Sequence, residues 1–568
     1  MKALRDRTRL AAWSLAAVAA GAGLLVWLAL EASADLARGR ERLLAGDTAG
    51  ARDAFARAGR WPFTAAVARA GETVTAARRG DSVGGALPLP VLDTFAPEAL
   101  LLSALQDGRL DAAAALADLA GQAGHPLADL YAAALAFERG DEAGARARAR
   151  ASRVSLDSRG LGSGLRRALA ARDAGAVTLL LDRRGELAAT VNHAGRLAGA
   201  PDAAPLLAGV LERLGAAPDG PAARLTVDLA LSRLARQALG AARGSIVIVD
   251  PATGAVRAAV SDARTASTEG AAAFEQRREP ASIAKLLTAA AAYRAGKDAD
   301  AEIGRMTCTG VERYGGKPLW CAWPAGPLQG LDHALAVSCN VAFASLGVPL
   351  GAERLVEEYR LWGFDAGGGR LLGAAGRVHT PLTPRQTADL AVGLEQADVT
   401  PLHAALLAAV VANGGRLPEP MLQLGRCGGL GLAADAVPAY AGSEVVEPTV
   451  ARRLRKAMEA AAASGTGAGL APPGFLVAMK TGTGAQWGVG YHVNYIGFGP
   501  LPEPSLAFCV RVTHEPTSPA VTRAARDVTR RLLELLAAGR VALGLDARRP
   551  SKGGARTSAA IPAGTGLA

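Results

Sequence analysis

GSIVIVDPATGAVRAAVSDA, residues 244–263, decides the fold class. An alternating β-branched run, a Pro-Ala-Thr-Gly turn and a second apolar run read as an antiparallel hairpin. A second strand pair is written in YHVNYIGFGP (491–500) and SLAFCVRV (505–512), with a helical run from about Ala520 to Gly539 behind it. Ahead of the hairpin, LTVDLALSRLARQAL (225–239) reads as a short strand running into an amphipathic helix. Between the strand pairs the pattern is mostly helical. Strands bracketing a helical middle specify an antiparallel sheet flanked by helices, class α+β.

Working toward the N-terminus, residues 156–224 form a Gly-rich linker or pedestal with one strand-like piece, AVTLLLDRRGELAATVN (176–192). Residues 33–155 are alanine-rich and carry one pattern three times: ARGRERLLAGDTAGARDAFARAG (37–59), LLSALQDGRLDAAAALADLAG (101–121) and LYAAALAFERGDEAGARARARAS (130–152). Each is an apolar helix, a Gly-Asp or Asp-Gly turn and a second Ala-rich helix, as in tetratricopeptide-type repeats. Such an all-α region serves either as a groove for a protein partner or as a helical spacer.

Leu10–Leu30 is 21 residues without a charge, and a helix of that length spans ~31 Å, the thickness of a bilayer core. Lys2, Arg5, Arg7 and Arg9 precede it and Glu31 and Asp35 follow, which keeps residues 1–9 cytoplasmic and exports the rest. Ala32-Ser33-Ala34 fits a signal-peptide cleavage site, but the apolar run exceeds the usual ~7–15 residues. The uncleaved transmembrane anchor is the expectation. The other end, 541–568, has no period from about Ala547 and is expected to be disordered.

The 568 residues carry 63 Lys+Arg against 52 Asp+Glu, a net +11, and half are hydrophobic. That excludes a wholly disordered chain, and five Cys exclude a disulfide scaffold. The surplus is arginine, with no basic run interleaved with aromatics, so no nucleic-acid partner is expected. Without a C-x-x-C pair, and with seven scattered His, no metal or cofactor is expected either. Cys308 and Cys321 flank a Gly/Pro-containing stretch. In an exported chain they either close a loop or stay as two thiols.

Three short motifs carry chemistry. In REPASIAKLLTAAAAYRAG (278–296), Ser282 stands at a helix start with Lys285 one turn on. A desolvated lysine there can take the serine proton, and the helix N-terminus offers N–H groups to an oxyanion. Ser338-Cys339-Asn340 lies at a break between helices. Lys480-Thr481-Gly482-Thr483 lies on a strand entering a Gly-rich turn. There the bare Gly482 lets a substrate backbone approach, while the hydroxyls beside the lysine suit a carboxylate.

Taken in this order, S-x-x-K, S-x-N and K-T-G resemble the penicillin-binding protein and serine β-lactamase superfamily. The resemblance covers about 225–540 and includes VTPLHAALLAAVVANGG (399–415) and ASGTGAGL (463–470). LLLDRRGELAA (179–189) is similar to a stretch preceding the catalytic domain in monofunctional, class B enzymes. It implies a peptidoglycan D,D-transpeptidase: a single-pass protein of the bacterial inner membrane, its catalytic domain outside the cytoplasm. Ser282 would attack the D-Ala–D-Ala bond of a stem peptide, and Lys285 would be the base. Ser338 and Lys480 would pass the proton to the leaving amine. Asn340 would hold the peptide amide, Thr481 and Thr483 the carboxylate, and Gly482 would line the cleft. The Ser282 and Thr483 N–H groups would form the oxyanion hole, and β-lactams would acylate Ser282.

The sequence departs from the family at Ala281, where glycine is usual, and at Val392-Gly393-Leu394 in place of G-Q-G. Too few residues separate 189 from 225 for the usual class B pedestal, and no glycosyltransferase motif is present. A D,D-carboxypeptidase or β-lactamase shares the acyl-enzyme, and a non-enzymatic sensor or scaffold shares the fold.

Overall fold

In the computed structural model the described residues are 28–545, apart from 63, 85–86, 153–160, 195, 201–202, 215–221, 266–270, 369, 428–429, 431–441 and 487–489. The expected membrane helix, 10–30, falls outside them but for its last three residues, and so does all of the expected tail beyond 545. Among the described residues no helix is long and apolar enough to cross a membrane. The chain divides into two units, one gathering residues up to 200 with 216–225 and 424–437, the other 201–215, 226–423 and the remainder.

The first unit is helical over 28–151, and its helices pair where the repeat pattern put the turns. Gly46 and Gly140 take φ of 80° and 82°, a conformation open to glycine because it has no β-carbon. Asp47 and Asp141 then cap the following helices, accepting from the N–H of Gly50 and Gly144 at 2.9 and 2.8 Å. Phe55 is fully buried between Gly39 and Gly71, where any β-carbon would strike its ring, and meets Phe95 edge-on at 5.8 Å. The strand-like piece 176–192 folds as a hairpin, Ala176–Leu181 against Leu187–Asn192. It belongs to a five-stranded sheet whose order is Gln423–Cys427, Ala222–Leu225, Ala176–Leu181, Leu187–Asn192, Leu197–Gly199.

The second unit is built on an antiparallel sheet of β1 (Gly244–Val249), β2 (Val256–Ser261), β3 (Ala478–Gln486), β4 (Gly490–Gly499) and β5 (Leu506–Glu515), in the order β3-β4-β5-β1-β2. The opening hairpin turns where its sequence indicates: the Asp250 carboxylate accepts from Ala252 and Thr253, and Gly254 takes φ 77°. Two helices, α1 (Leu229–Leu239) and a C-terminal one (Ser518–Ala538), pack on the sheet. Leu231, Ala235, Ala238 and Leu239 recur at helical spacing and are buried with Ile246, Ile248, Val510, Val528 and Leu532.

Helix Pro401–Ala412 also packs on the sheet and is buried from Pro401 to Val411. A helix apolar all round belongs between two layers; away from the sheet it packs with Pro448–Ser464, and its His403 meets the Phe364 ring and the Trp362 carbonyl of the helical middle, 285–392. Its members include α2 (Lys285–Arg294), α3 (Asn340–Gly347) and α4 (Pro384–Val392), together with a two-stranded ribbon, Val311–Tyr314 and Lys317–Trp320.

Candidate active site

Ser282 lies in a 3-10 turn, Ala281–Ala284, that leads into α2, so the helix proper begins at Lys285 rather than at the serine. Ala281 takes φ 50°, a left-handed conformation that costs a residue with a β-carbon about 1–2 kcal/mol. The turn is held from two sides. On one, the Ala281 N–H donates to the Gly393 carbonyl at 2.8 Å, at the C-terminal cap of α4. On the other, a β-carbon on Gly482 would lie 2.5 Å from the Pro280 carbonyl oxygen and 3.2 Å from the Ser282 nitrogen. Gly482 thus brings β3 against the serine, as its lack of a side chain allows.

The residues before the turn are fixed from the sheet. Arg511 of β5 is buried and donates to the Asn494 side chain at 2.7 Å and to the carbonyls of Gln276 and Val399 at 2.7 and 2.9 Å. Asn494 in turn donates to the Glu279 carbonyl at 3.3 Å. The Glu279 carboxylate accepts from the Glu395 N–H at 2.9 Å, and burial pushes its proton affinity up.

Lys285 is fully buried. Its Nζ donates to the Ser338 carbonyl at 2.6 Å and to the Asn340 side-chain oxygen at 2.7 Å, stands 3.2 Å from Ser338 Oγ, and lies 5.6 Å from the centre of the Phe343 ring. Ser338-Cys339-Asn340 sits at the expected break between Leu331–Ala336 and α3, with Ser338 at φ 55° and Cys339 as the cap of α3. Lys480 Nζ reaches the same hydroxyl from β3, donating to Ser338 Oγ at 2.9 Å and to the Thr481 carbonyl at 2.9 Å. One hydroxyl therefore joins two buried amines. Burial brings Lys285 down to about 7, against the pull of the nearby Cys339, Cys321 and Cys308. Lys480 is lowered as well, by burial and then by the charge of Lys285.

Lys480-Thr481-Gly482-Thr483 lies well inside β3, which runs on to Gln486 as an unbroken partner of β4, so no turn begins at the glycine. Ladder bonds to β4 outweigh the turn preference of two glycines. Thr483 is exposed, while Thr481 is buried and donates to the Thr466 hydroxyl at 2.8 Å. Ser282, Lys285, Ser338, Asn340, Lys480, Thr481 and Gly482 are thereby linked through direct contacts or adjacent backbone.

Other participants escaped the sequence reading. Thr466 lies in the quoted ASGTGAGL segment, where its Gly-Thr-Gly setting was the available signal. The exposed Trp320 offers its carbonyl to the Asn340 amide at 2.6 Å, and nothing in the sequence pointed to it. Cys308 and Cys321 are unbridged, and Cys339 joins them: the three sulfurs lie within 4.8 Å of one another. No spacing rule pairs a motif residue with cysteines 31 and 18 positions upstream.

A family model described as "Penicillin binding protein transpeptidase domain" matches residues 244–534. The chain is 30% identical over 324 residues to the peptidoglycan D,D-transpeptidase PbpA of Mycobacterium tuberculosis (strain ATCC 25618 / H37Rv), covering 48% of this chain and 62% of that protein. It is 30% identical over 248 residues to stage V sporulation protein D of Bacillus subtilis (strain 168), covering 41% and 38%. It therefore spans less than two thirds of the length of these curated relatives. Among solved structures it is similar in fold to PBPA from M. tuberculosis, with TM-score 0.53, 23% identity and coverage of 64% of this chain and 99% of that one. A ceftriaxone acyl-enzyme complex of the same M. tuberculosis protein gives a TM-score of 0.55 at 23% identity, with coverage of 63% and 98%.

Proposed function

Since the chain belongs to the penicillin-binding protein transpeptidase family, we propose that it is a peptidoglycan D,D-transpeptidase with Ser282 as nucleophile. The observation that carries this reading is the hydroxyl of Ser338 bonded between Lys285 and Lys480.

With burial holding Lys285 near 7, a large share of it is a neutral amine at neutral pH. That amine takes the Ser282 proton as the serine oxygen attacks the carbonyl carbon of the penultimate D-Ala. The oxyanion that forms is taken up by the N–H groups of Ser282 and Thr483, a reading supported by the close approach of Gly482, next to Thr483, to the Ser282 nitrogen. The proton on Lys285 passes to Ser338 Oγ, whose own proton goes to the departing D-Ala nitrogen as the C–N bond breaks. Lys480 lies 2.9 Å from that oxygen and steadies the negative charge on it during the exchange. Resolution runs in reverse: an acceptor amine attacks the ester, gives a proton to Lys285 through Ser338, and Ser282 leaves. Asn340 holds the donor amide, and Thr481 and Thr483 hold its carboxylate.

A single helix over 10–30 anchors the enzyme in the bacterial inner membrane, with the catalytic unit outside the cytoplasm, and the helical repeats serve either as a spacer or as a groove for a protein partner. The uncharged run and the basic residues before it support the anchor.

The test is a fluorescent penicillin on the purified chain, with the modified peptide mapped by mass spectrometry, followed by stem peptide with and without an amine acceptor. Label on Ser282 and a cross-linked product are expected. Label elsewhere would end the assignment of the nucleophile, and free D-Ala with trimmed peptide alone would make the enzyme a hydrolase.

A further inference from the structure

Cys308, Cys321 and Cys339 are far apart in sequence and none has a role in the chemistry above. Cys321 is the middle sulfur: its Sγ lies 3.6 Å from that of Cys308 and 3.7 Å from that of Cys339. It is also the reachable one, half-buried at the end of the ribbon, whereas the other two are buried. Two N–H groups at the start of α3, from Asn340 and Val341, point at it at 3.1 and 3.3 Å. Donation from the Cys339 thiol, helped by those N–H groups, draws Cys321 down to about 5, while the same contact and burial push Cys339 up. A sulfur so placed is a thiolate and a nucleophile.

We propose that these three residues form a thiol–disulfide exchange site in which Cys321 bonds alternately to Cys308 and to Cys339, and that the Cys321–Cys339 bond slows acylation. The reactant class is a disulfide donor, either a glutathione-type small disulfide or an oxidoreductase protein. The Cys321 thiolate attacks one donor sulfur, forming a mixed disulfide and releasing the first donor thiolate. The Cys308 thiolate then attacks Cys321 Sγ; the 308–321 bond forms and the second donor thiolate leaves. Two thiols of the protein are oxidised, the donor disulfide is reduced, and the two protons end on the donor thiols. Exchange needs no further oxidant. The Cys339 thiolate attacks Cys321 Sγ, the 321–339 bond forms, and Cys308 leaves as a thiolate that takes up the proton Cys339 lost.

The two disulfides differ in what they pull. A bond is ~2.05 Å long, so closing 321–339 from 3.7 Å draws in the residue between Ser338 and Asn340. It also displaces the sulfur that accepts the Ala342 N–H at the cap of α3. The Ser338 carbonyl and the Asn340 oxygen, which hold Lys285, lie on either side of that residue. Closing 308–321 ties the ribbon to the Thr307–Cys308 strand: it takes a thiolate acceptor from the Asn340 and Val341 N–H groups but puts no covalent tether on the Ser338–Asn340 turn. A metal is the weaker occupant: only three ligands converge among the described residues, and Lys285, close enough to be biased by all three sulfurs, repels a cation whenever it is protonated.

The experiment equilibrates the full chain with oxidised or reduced glutathione, quenches in acid, alkylates, maps the thiols by mass spectrometry, and times penicillin acylation of each form. Oxidation is expected to leave one alkylatable thiol of the three, with both 308–321 and 321–339 peptides present. Cys308→Ser, which allows only 321–339, should acylate at least ~10-fold more slowly oxidised than reduced and recover on reduction, because displacements of ~1 Å cost up to ~10²-fold. Cys339→Ser, which allows only 308–321, should acylate within ~2-fold of its own reduced rate. Three alkylated cysteines after oxidation, stoichiometric zinc in the purified chain, or equal rates for the two forms of Cys308→Ser would each overturn the proposal. The effect on acylation rests on the function proposed above. A chain that penicillin never labels would defeat that function, while the thiol map of the unaltered chain still decides the exchange.

Discussion

Ala281 and Gly393 lock together through their backbones: the Ala281 N–H donates to the Gly393 carbonyl at 2.8 Å, and a β-carbon on Gly393 would lie 2.3 Å from the Ala281 carbonyl oxygen. Both residues have positive φ, 50° and 78°. The two departures from the family pattern therefore meet at one contact beside Ser282.

Gly393→Ala is expected to lower stability by about 2–4 kcal/mol, from overpacking against backbone together with the left-handed φ. It should also slow penicillin acylation, since the turn carrying Ser282 has to move. Ala281→Gly removes strain in the native state and adds freedom to the unfolded chain, terms of similar size. A melting temperature within a few degrees of the parent is expected, with acylation retained. A calorimetric scan paired with stopped-flow labelling checks both.

The acylation rate should rise with pH through about 7, because only the neutral form of Lys285 accepts a proton and burial has lowered it to that range. Lys285→Arg cannot reach a neutral form and should lose about 10²–10⁴-fold, the usual weight of a general base. Rates of acylation between pH 5.5 and 8.5 decide it. A flat profile in the parent would count against Lys285 as the base.

Folding stability should also climb with pH from about 7 toward 10. Both lysines bind protons less tightly when folded than when unfolded. Over that window the unfolded chain therefore holds more protons, and the slope of unfolding free energy against pH is positive. In Lys285→Met the climb should be shallower. Urea titrations at pH 7, 8 and 9 measure the slope.

Ser338→Ala removes the oxygen shared by the two lysines while sparing the backbone carbonyl that accepts from Lys285. Turnover of stem peptide should fall about 10²–10³-fold, with little change in the binding of unreactive peptide. Thr466→Val offers a contrast: it loses only the bond from Thr481, so it should weaken substrate binding more than it lowers the rate of the bound complex. Comparing kcat and KM for the two variants separates proton transfer from positioning.

Much of this site was legible because its chemistry is written in short, locally constrained runs. Ser282 and Lys285 share one turn of chain, Ser338 and Asn340 one helix break, and Lys480 to Thr483 one strand, and lysine is scarce enough here to make its positions informative. The sheet was equally readable at 244–263, where alternation and a turn agree. Tertiary partners were not. Arg511 reaches Gln276 across 235 positions and Thr481 reaches Thr466 across 15, contacts that no periodicity encodes. The three sulfurs converge because the ribbon ending at Trp320 folds back on the cap of α3, a packing event invisible in cysteine spacing. The strand through Gly482 and Gly484 outruns the turn that its glycines predict because ladder pairing, not local preference, carries it to Gln486.

Two of the five strands in the smaller sheet, Ala222–Leu225 and Gln423–Cys427, come from either side of the long stretch that builds most of the catalytic half. The molecule is therefore interleaved rather than modular. A fragment excised at residue 226 would carry away a 423–427 segment with no neighbour to zip onto, leaving a sticky free border prone to self-association. Shuffling this catalytic half onto another carrier would need that finger trimmed or its mate supplied.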